Sequence, residues 1–222
     1  MTNKYKILFV SAEVAPFAKS GGLADVAGSL PQYLAGLGHD VRTVMPRYKM
    51  IRQSMDYLAD YPVKFGDRIE TCIVREVNMS INTDASIINY PVYFIDNYNY
   101  FDRENIYCCH DDGERFAFFC KAVMEMLPII NFQPDIIHCN DWHTGPICML
   151  LKEKYMNNLY YCNIASVFTI HNLQYQGHFG KDILRLFEVD DNIFTPEKVE
   201  FYGAFNFMKA GLVYADMITT VS

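Results

Sequence analysis

The 222-residue chain is 51% hydrophobic and carries 26 acidic against 19 basic side chains, for a formal charge of −7 and a pI near 5.3. This is a soluble globular composition, long enough for one large core. Its acidic balance argues against nucleic acid or an anionic membrane as partner, since both ask for a clustered basic surface, whereas a neutral polymer or one diphosphate at a local positive site stays compatible.

The N-terminus runs from Lys4 and Lys6 into an apolar stretch ending near Ser11, too brief for a secretory signal or a membrane span, and reads as a first strand. Ala15 to Val26 follows, with Lys19-Ser20-Gly21-Gly22 at its centre. Strand, glycine turn and helix in that order make an anion site, because Gly21 and Gly22 permit positive φ and close backbone approach while the helix N-terminus favours negative charge. The same residues also fit a plain strand-to-helix turn with Lys19 solvated. Leu23, Val26, Ala27, Leu30, Leu34 and Leu37 then recur at helical spacing, with Pro31 predicting a kink and Gly38 a stop. Val41 to Met45 completes a β-α-β unit with parallel strands.

Between Tyr57 and Ile95 three strand-like runs, Val63 to Phe65, Thr71 to Met79 and Val92 to Ile95, predict an antiparallel excursion. Asp96 to Asp112, with the Cys108-Cys109 pair, lacks periodicity and reads as a surface loop. Alternation resumes with a helix whose face is Phe116, Phe119, Cys120, Val123, Met126, Leu127 and Ile130. Then come a strand at 135–139, a helix from about Thr144 to Met156, a strand at 165–170, a helix around 204–214 and a last strand at 217–221. The pattern predicts one α/β domain over residues 1–222, with a doubly wound, Rossmann-like parallel sheet. Seven cysteines, odd in number and without a Cys-x-x-Cys pair, indicate neither a disulfide framework nor a zinc site, and suggest a reducing cytoplasm.

In such a sheet, ligands bind beyond the carboxyl ends of the strands. Three polar groups fall there: Lys19 to Gly22 after the first strand, Asp141-Trp142-His143 after Ile136 to Cys139, and His171-Asn172 after Val167 to Ile170. Asp141 alternatively caps the next helix, and His143 packs in its first turn. His138 reads as a core histidine, and His138, Asp141 and His143 make a poor metal set because alternate strand positions point apart. No metal and no cofactor is expected.

Lys19-Ser20-Gly21-Gly22-Leu23-Ala24-Asp25-Val26 resembles the signature near the start of bacterial glycogen synthases and plant starch synthases. Asn140 to Gly145, Thr169 to Gly177 and Phe207 to Asp216 resemble later stretches of the same family, in the same order. The resemblance implies a GT-B enzyme that transfers glucose from ADP-glucose to the non-reducing end of an α-1,4-glucan, with retention and without an essential metal. It also implies that 1–222 is the N-terminal, acceptor-side domain, and that the C-terminal nucleotide-binding domain lies outside a chain ending at Ser222. Lys19, Gly21, Gly22, Asp25 and Tyr107 are then expected on the donor side, and Asp141 and His171 around the transferred glucose, with Asn172 and His143 beside them. The family commonly has Thr where Ser20 stands and His where Asn140 stands. Alone, such a half is expected to be inactive. Competing readings are a GT-B glucosyltransferase using UDP-glucose, a non-catalytic glucan-binding module, and a nucleotide-binding regulator; against the last, Met45-Pro46-Arg47 stands where a dehydrogenase would end its second strand in an acid.

Overall fold

In the computed structural model, which describes residues 3–82 and 87–221, the apolar run Lys6–Val10 is strand β1, buried from Ile7 onward. Helix α1 (Gly22–Gly36) follows and continues through Pro31. It ends as the sequence predicts: Gly38 adopts φ +90°, its N–H bonds the Ala35 carbonyl at 2.9 Å, and the His39 N–H bonds Leu34 at 3.3 Å. These two bonds satisfy carbonyls that the helix end would otherwise leave open. Strand β2 (Asp40–Pro46) then pairs parallel to β1.

Strands β3 (Asp56–Phe65) and β4 (Arg68–Asn82) form a hairpin whose turn uses Gly66 at φ +61°. Strand β5 (Ile87–Asp96) corrects the expected excursion. It is antiparallel to β4 but parallel to β2, with Thr43 opposite Val92, so β5 belongs to the parallel set and, β3 being antiparallel to β4, only β4 runs against the other strands. Asp96 to Asp112 is also more than a surface loop. It holds the short helix α2 (Tyr98–Phe101), capped by the Asn97 side chain, and it buries Tyr100, Phe101 and Ile106.

Helix α3 (Asp112–Ile129) is buried through most of its length, which is why apolar residues fall on more than one of its faces, with the charged Arg115 and Lys121 buried among them. Strand β6 (Ile136–Asn140), a 3₁₀ turn at Trp142–Thr144, helix α4 (Gly145–Glu153) and strand β7 (Ala165–Ile170) come next. A three-stranded sheet, missed in the sequence, is made by β8 (His178–Phe179), β9 (Glu200–Phe201) and β10 (Ala204–Asn206), with the one-turn helix α5 (Leu184–Phe187) between β8 and β9. The helix expected from residue 204 therefore begins later, as α6 (Phe207–Tyr214), and leads to β11 (Met217–Thr220). The sequence's last residue, Ser222, lies outside the described residues.

The main sheet has the order β11-β7-β6-β1-β2-β5-β4-β3. From β1 the chain builds outward to one side through β2, then returns to build on the other side through β6, β7 and β11. The order therefore reverses between β1 and β6, and the loops leaving these two strands diverge. A crevice must open there, at the carboxyl ends of both. No described helix is long and apolar enough to cross a membrane, and all seven cysteines are free.

Candidate functional site

A cleft of ≈ 910 Å³ lies at this point of reversal, lined by residues that follow β1, β6 and β7 and by the approach to α3. Its floor includes Glu13, which is 2% exposed. The Glu13 carboxylate accepts hydrogen bonds from the Ser20 backbone N–H, the Ser20 hydroxyl (2.7 Å), the Gly21 N–H (3.3 Å) and the Tyr107 hydroxyl (2.5 Å). An internal carboxylate thus occupies the amides that the glycine turn was expected to offer a phosphate. The reason assigned to the glycines also changes. Gly21 has an extended φ of −152° and Gly22 is helical, so neither uses the left-handed region. A Cβ at either would meet nothing within 4 Å, and both line the cleft, so their smallness leaves room for something outside the chain.

Lys19 and Asp25 are not brought into the cleft. The Lys19 Nζ bonds both Asp25 oxygens, at 2.6 and 2.8 Å, with the two side chains 54% and 60% exposed on the rim of the turn. Tyr107 does line the cleft; burial first, and then the neighbouring Tyr48 and Glu13, push its hydroxyl well above the ordinary range, so it stays protonated and donates to Glu13. The wall behind it rests on Arg115, wholly buried, whose Nη1 reaches the Ile106 carbonyl (3.2 Å), Asp112 Oδ1 (3.1 Å) and Cys109 Sγ (3.2 Å).

Asp141 leaves β6 at φ 58°, ψ 177°, a conformation otherwise reserved for glycine. Its side chain does not cap the following turn. Oδ1 instead accepts the backbone N–H groups of His171 (2.7 Å) and Asn172 (3.2 Å), tying the end of β7 to the end of β6. Burial pushes its carboxyl up, opposed by those two amides and by His171.

The His171 ring is oriented by Asn140. The Asn140 amide nitrogen donates to the carbonyls of Val10 (3.1 Å) and His138 (3.2 Å), so its oxygen faces His171 Nε2 at 2.9 Å. Nε2 must therefore carry the proton, and Nδ1 keeps its lone pair. Burial lowers the His171 pKa, with Asp141 opposing, which keeps the imidazole neutral. His143 is stacked between Tyr107 and Trp142, at ring distances of 4.6 and 3.9 Å, and burial holds it neutral as well. His138 is a half-buried histidine whose Nε2 meets the Thr169 hydroxyl at 2.6 Å.

The structure thus gathers Gly21, Gly22, Tyr107, Asp141, His143, His171 and Asn172 around one cleft and leaves Lys19 and Asp25 on its rim. It adds Glu13, Trp142 and the segment Gln174 to Phe179. Gly177, at φ +66°, lets this segment cross the face of Trp142, where a Cβ would lie 2.4 Å from the ring. No lysine or arginine is among the lining residues. Carboxylates, neutral imidazoles, a phenol and amides make a set suited to uncharged polyhydroxyl ligands more than to a polyanion.

A family model described as the starch synthase catalytic domain matches residues 6–222. The chain is 54% identical over 223 residues to the glycogen synthase of Desulforudis audaxviator, covering 98% of this chain and 44% of that protein. It is 52% identical over 222 residues to the glycogen synthase of Moorella thermoacetica, covering 100% and 44%. Among solved structures, the catalytic domain of starch synthase IV from Arabidopsis thaliana, bound to ADP and acarbose, superposes with a TM-score of 0.88 at 27% identity, over 99% of this chain and 45% of that one. The chain spans less than half the length of the curated relatives it matches.

Proposed function

The chain belongs to the starch synthase catalytic domain family, and on that premise we propose that it forms the acceptor-side, N-terminal domain of a glycogen synthase. The reaction is transfer of glucose from ADP-glucose to the non-reducing 4-hydroxyl of an α-1,4-glucan, with retention, in the cytoplasm. The observation that carries this reading is the convergence of Glu13, Tyr107, Asp141, His171 and Asn172, from four separate segments, on a cleft without a lysine or arginine in its lining.

In this reading the neutral His171, fixed by Asn140, offers Nδ1 as an acceptor to a sugar hydroxyl. The Glu13–Tyr107 pair and Asp141 hold further hydroxyls. As the glucosyl group leaves its diphosphate, positive charge grows at the anomeric carbon and the cleft carboxylates stabilise it; preorganised electrostatics of this kind is worth about 10²–10³ in rate per group in other enzymes. The departing diphosphate needs cations. Lys19 is one, held only by an exposed ion pair of the sort worth about 0–1 kcal/mol, so it is released at little cost. The remainder is assigned to a C-terminal nucleotide-binding domain, and without it this chain is expected to be inactive, since water is not excluded and the reactants are not held together.

Titration of the chain by calorimetry or amide NMR with a maltooligosaccharide, and separately with ADP, tests the proposal. Sugar binding with feeble ADP binding is expected. Tight ADP binding without sugar would overturn the acceptor-side assignment, and turnover of ADP-glucose by the chain alone would overturn the division between domains.

A further inference from the structure

The hairpin between β9 and β10 turns through Tyr202 and Gly203, both with positive φ (+50° and +81°). Gly203 is suited to that conformation, but Tyr202 is not, for a bulky side chain in the left-handed region is uncommon and costly. Nor is Tyr202 repaid by packing, since it is 91% exposed. A large aromatic ring is therefore displayed to solvent by a turn that Asn would make more comfortably.

The hairpin beneath it is firmly held. The Lys209 Nζ donates to the Pro196 and Glu200 carbonyls, the Glu200 carboxylate accepts the Gly203 N–H at 2.5 Å, and β10 pairs with β8. The display is also continuous with the cleft. His178, which lines the cleft, lies 5.8 Å from the Phe201 ring, and Phe201 lies 4.6 Å from Tyr202. Exposed rings thus lead from the cleft wall to the hairpin tip.

Resting on the glucan reading above, we infer that Phe201 and Tyr202 form an outer subsite where the more distant glucose units of a long α-1,4-glucan stack after its end has entered the cleft. A pyranose has apolar C–H faces on which an exposed aromatic ring stacks, while its rim of hydroxyls stays in water.

The test uses Tyr202→Asn, which suits the left-handed turn and keeps the fold, with Tyr202→Phe as a control that retains the ring. Each protein is titrated by amide NMR with maltose and with a long maltooligosaccharide. Tyr202→Asn is expected to bind the long oligomer roughly two- to tenfold more weakly, the range that one aromatic contact supports, to bind maltose unchanged, and to unfold at no lower urea than the parent. Tyr202→Phe is expected to bind both like the parent. Equal binding of the long oligomer by parent and Tyr202→Asn overturns the subsite alone, as does an equal loss for both sugars. Failure of the parent to bind either sugar overturns the glucan reading together with it.

Discussion

Asp141 rests at φ 58°, ψ 177°, where any residue but glycine is strained by about 1–3 kcal/mol, yet its carboxylate holds two backbone N–H groups of the β7 end. The two effects can be separated. Asp141→Ala keeps the strain and strands both amides, so a loss of about 1–3 kcal/mol is expected; Asp141→Gly strands the same amides but relieves the strain, and should lose less. Urea unfolding of the two variants checks the order, and equal stabilities would mean that the conformation carries no strain. The histidines give a second prediction at this scale. His138 is pushed down to about 4, by burial first and His171 second, and His143 and His171 are also lowered by burial. A depressed pKa means that the folded form binds fewer protons than the unfolded chain, so its stability is present above about 6.5 and drains away as pH falls toward 4. His138 alone supplies up to about 3 kcal/mol of this slope. The urea midpoint should fall steeply across that window, and less steeply in His138→Gln. Asp141 and His171 were legible in the sequence because both follow apolar strand runs. Glu13 was not, since its role depends on Tyr107, 94 residues away, and nothing in the local spacing of Ser11-Ala12-Glu13 announces that contact.

Helices α4 and α6 meet with almost no clearance. A Cβ on Gly145 would lie 2.1 Å from the Phe207 carbonyl oxygen and 3.1 Å from the Gly211 backbone nitrogen. Backbone cannot yield as a flexible side chain can, so Gly145→Ala should force the helices apart and cost several kcal/mol, about 3 or more. Gly36, in the last turn of α1, faces open space, and Gly36→Ala should instead stabilise by about 0.4–1 kcal/mol through the unfolded chain and helix propensity. Thermal unfolding of the pair therefore moves in opposite directions; a Gly145→Ala protein that unfolds at the parent's temperature or above would show that the α4–α6 contact does not depend on glycine. The period-3.6 pattern of α1, its Schellman stop at Gly38 and the parallel strands β1, β2, β6 and β7 were readable because local chemistry sets them. The three-stranded sheet β8-β10-β9 was not. Its strands are two or three residues long, and its turn at Tyr202-Gly203 replaces the Asn-Gly or Asp-Gly that would signal a hairpin.

Of that small sheet, β8 lines the cleft through His178 and Phe179, and one carboxylate just past α5 fastens this part of the chain to the main body. Glu188, just past α5, receives Lys121 from α3 at 2.7 Å, Lys154 from beyond α4 at 2.7 Å, and Lys64 from β3. Lys121 has a fully buried side chain, also donates to the Lys64 carbonyl, and has its pKa lowered by burial with Glu188 opposing. Burial acts to raise the Glu188 carboxyl, but its three lysine bonds more than offset that and hold it at about 2. Its stabilising effect is thus present above its ordinary value of 4.5 and is lost as pH falls through about 2. Glu188→Gln leaves three ammonium groups converging on a neutral amide, one of them out of reach of water, and a cost of about 3–5 kcal/mol is expected. Much of that cost belongs to the stranded charge of Lys121 rather than to the lost attraction. Adding Lys121→Met, which removes the buried charge while keeping the volume, should therefore restore most of the stability of Glu188→Gln. Chemical denaturation of the two single variants and the double variant makes the comparison. A double variant no more stable than Glu188→Gln would locate the fastening in Lys64 and Lys154, near the surface, and not in the buried pair.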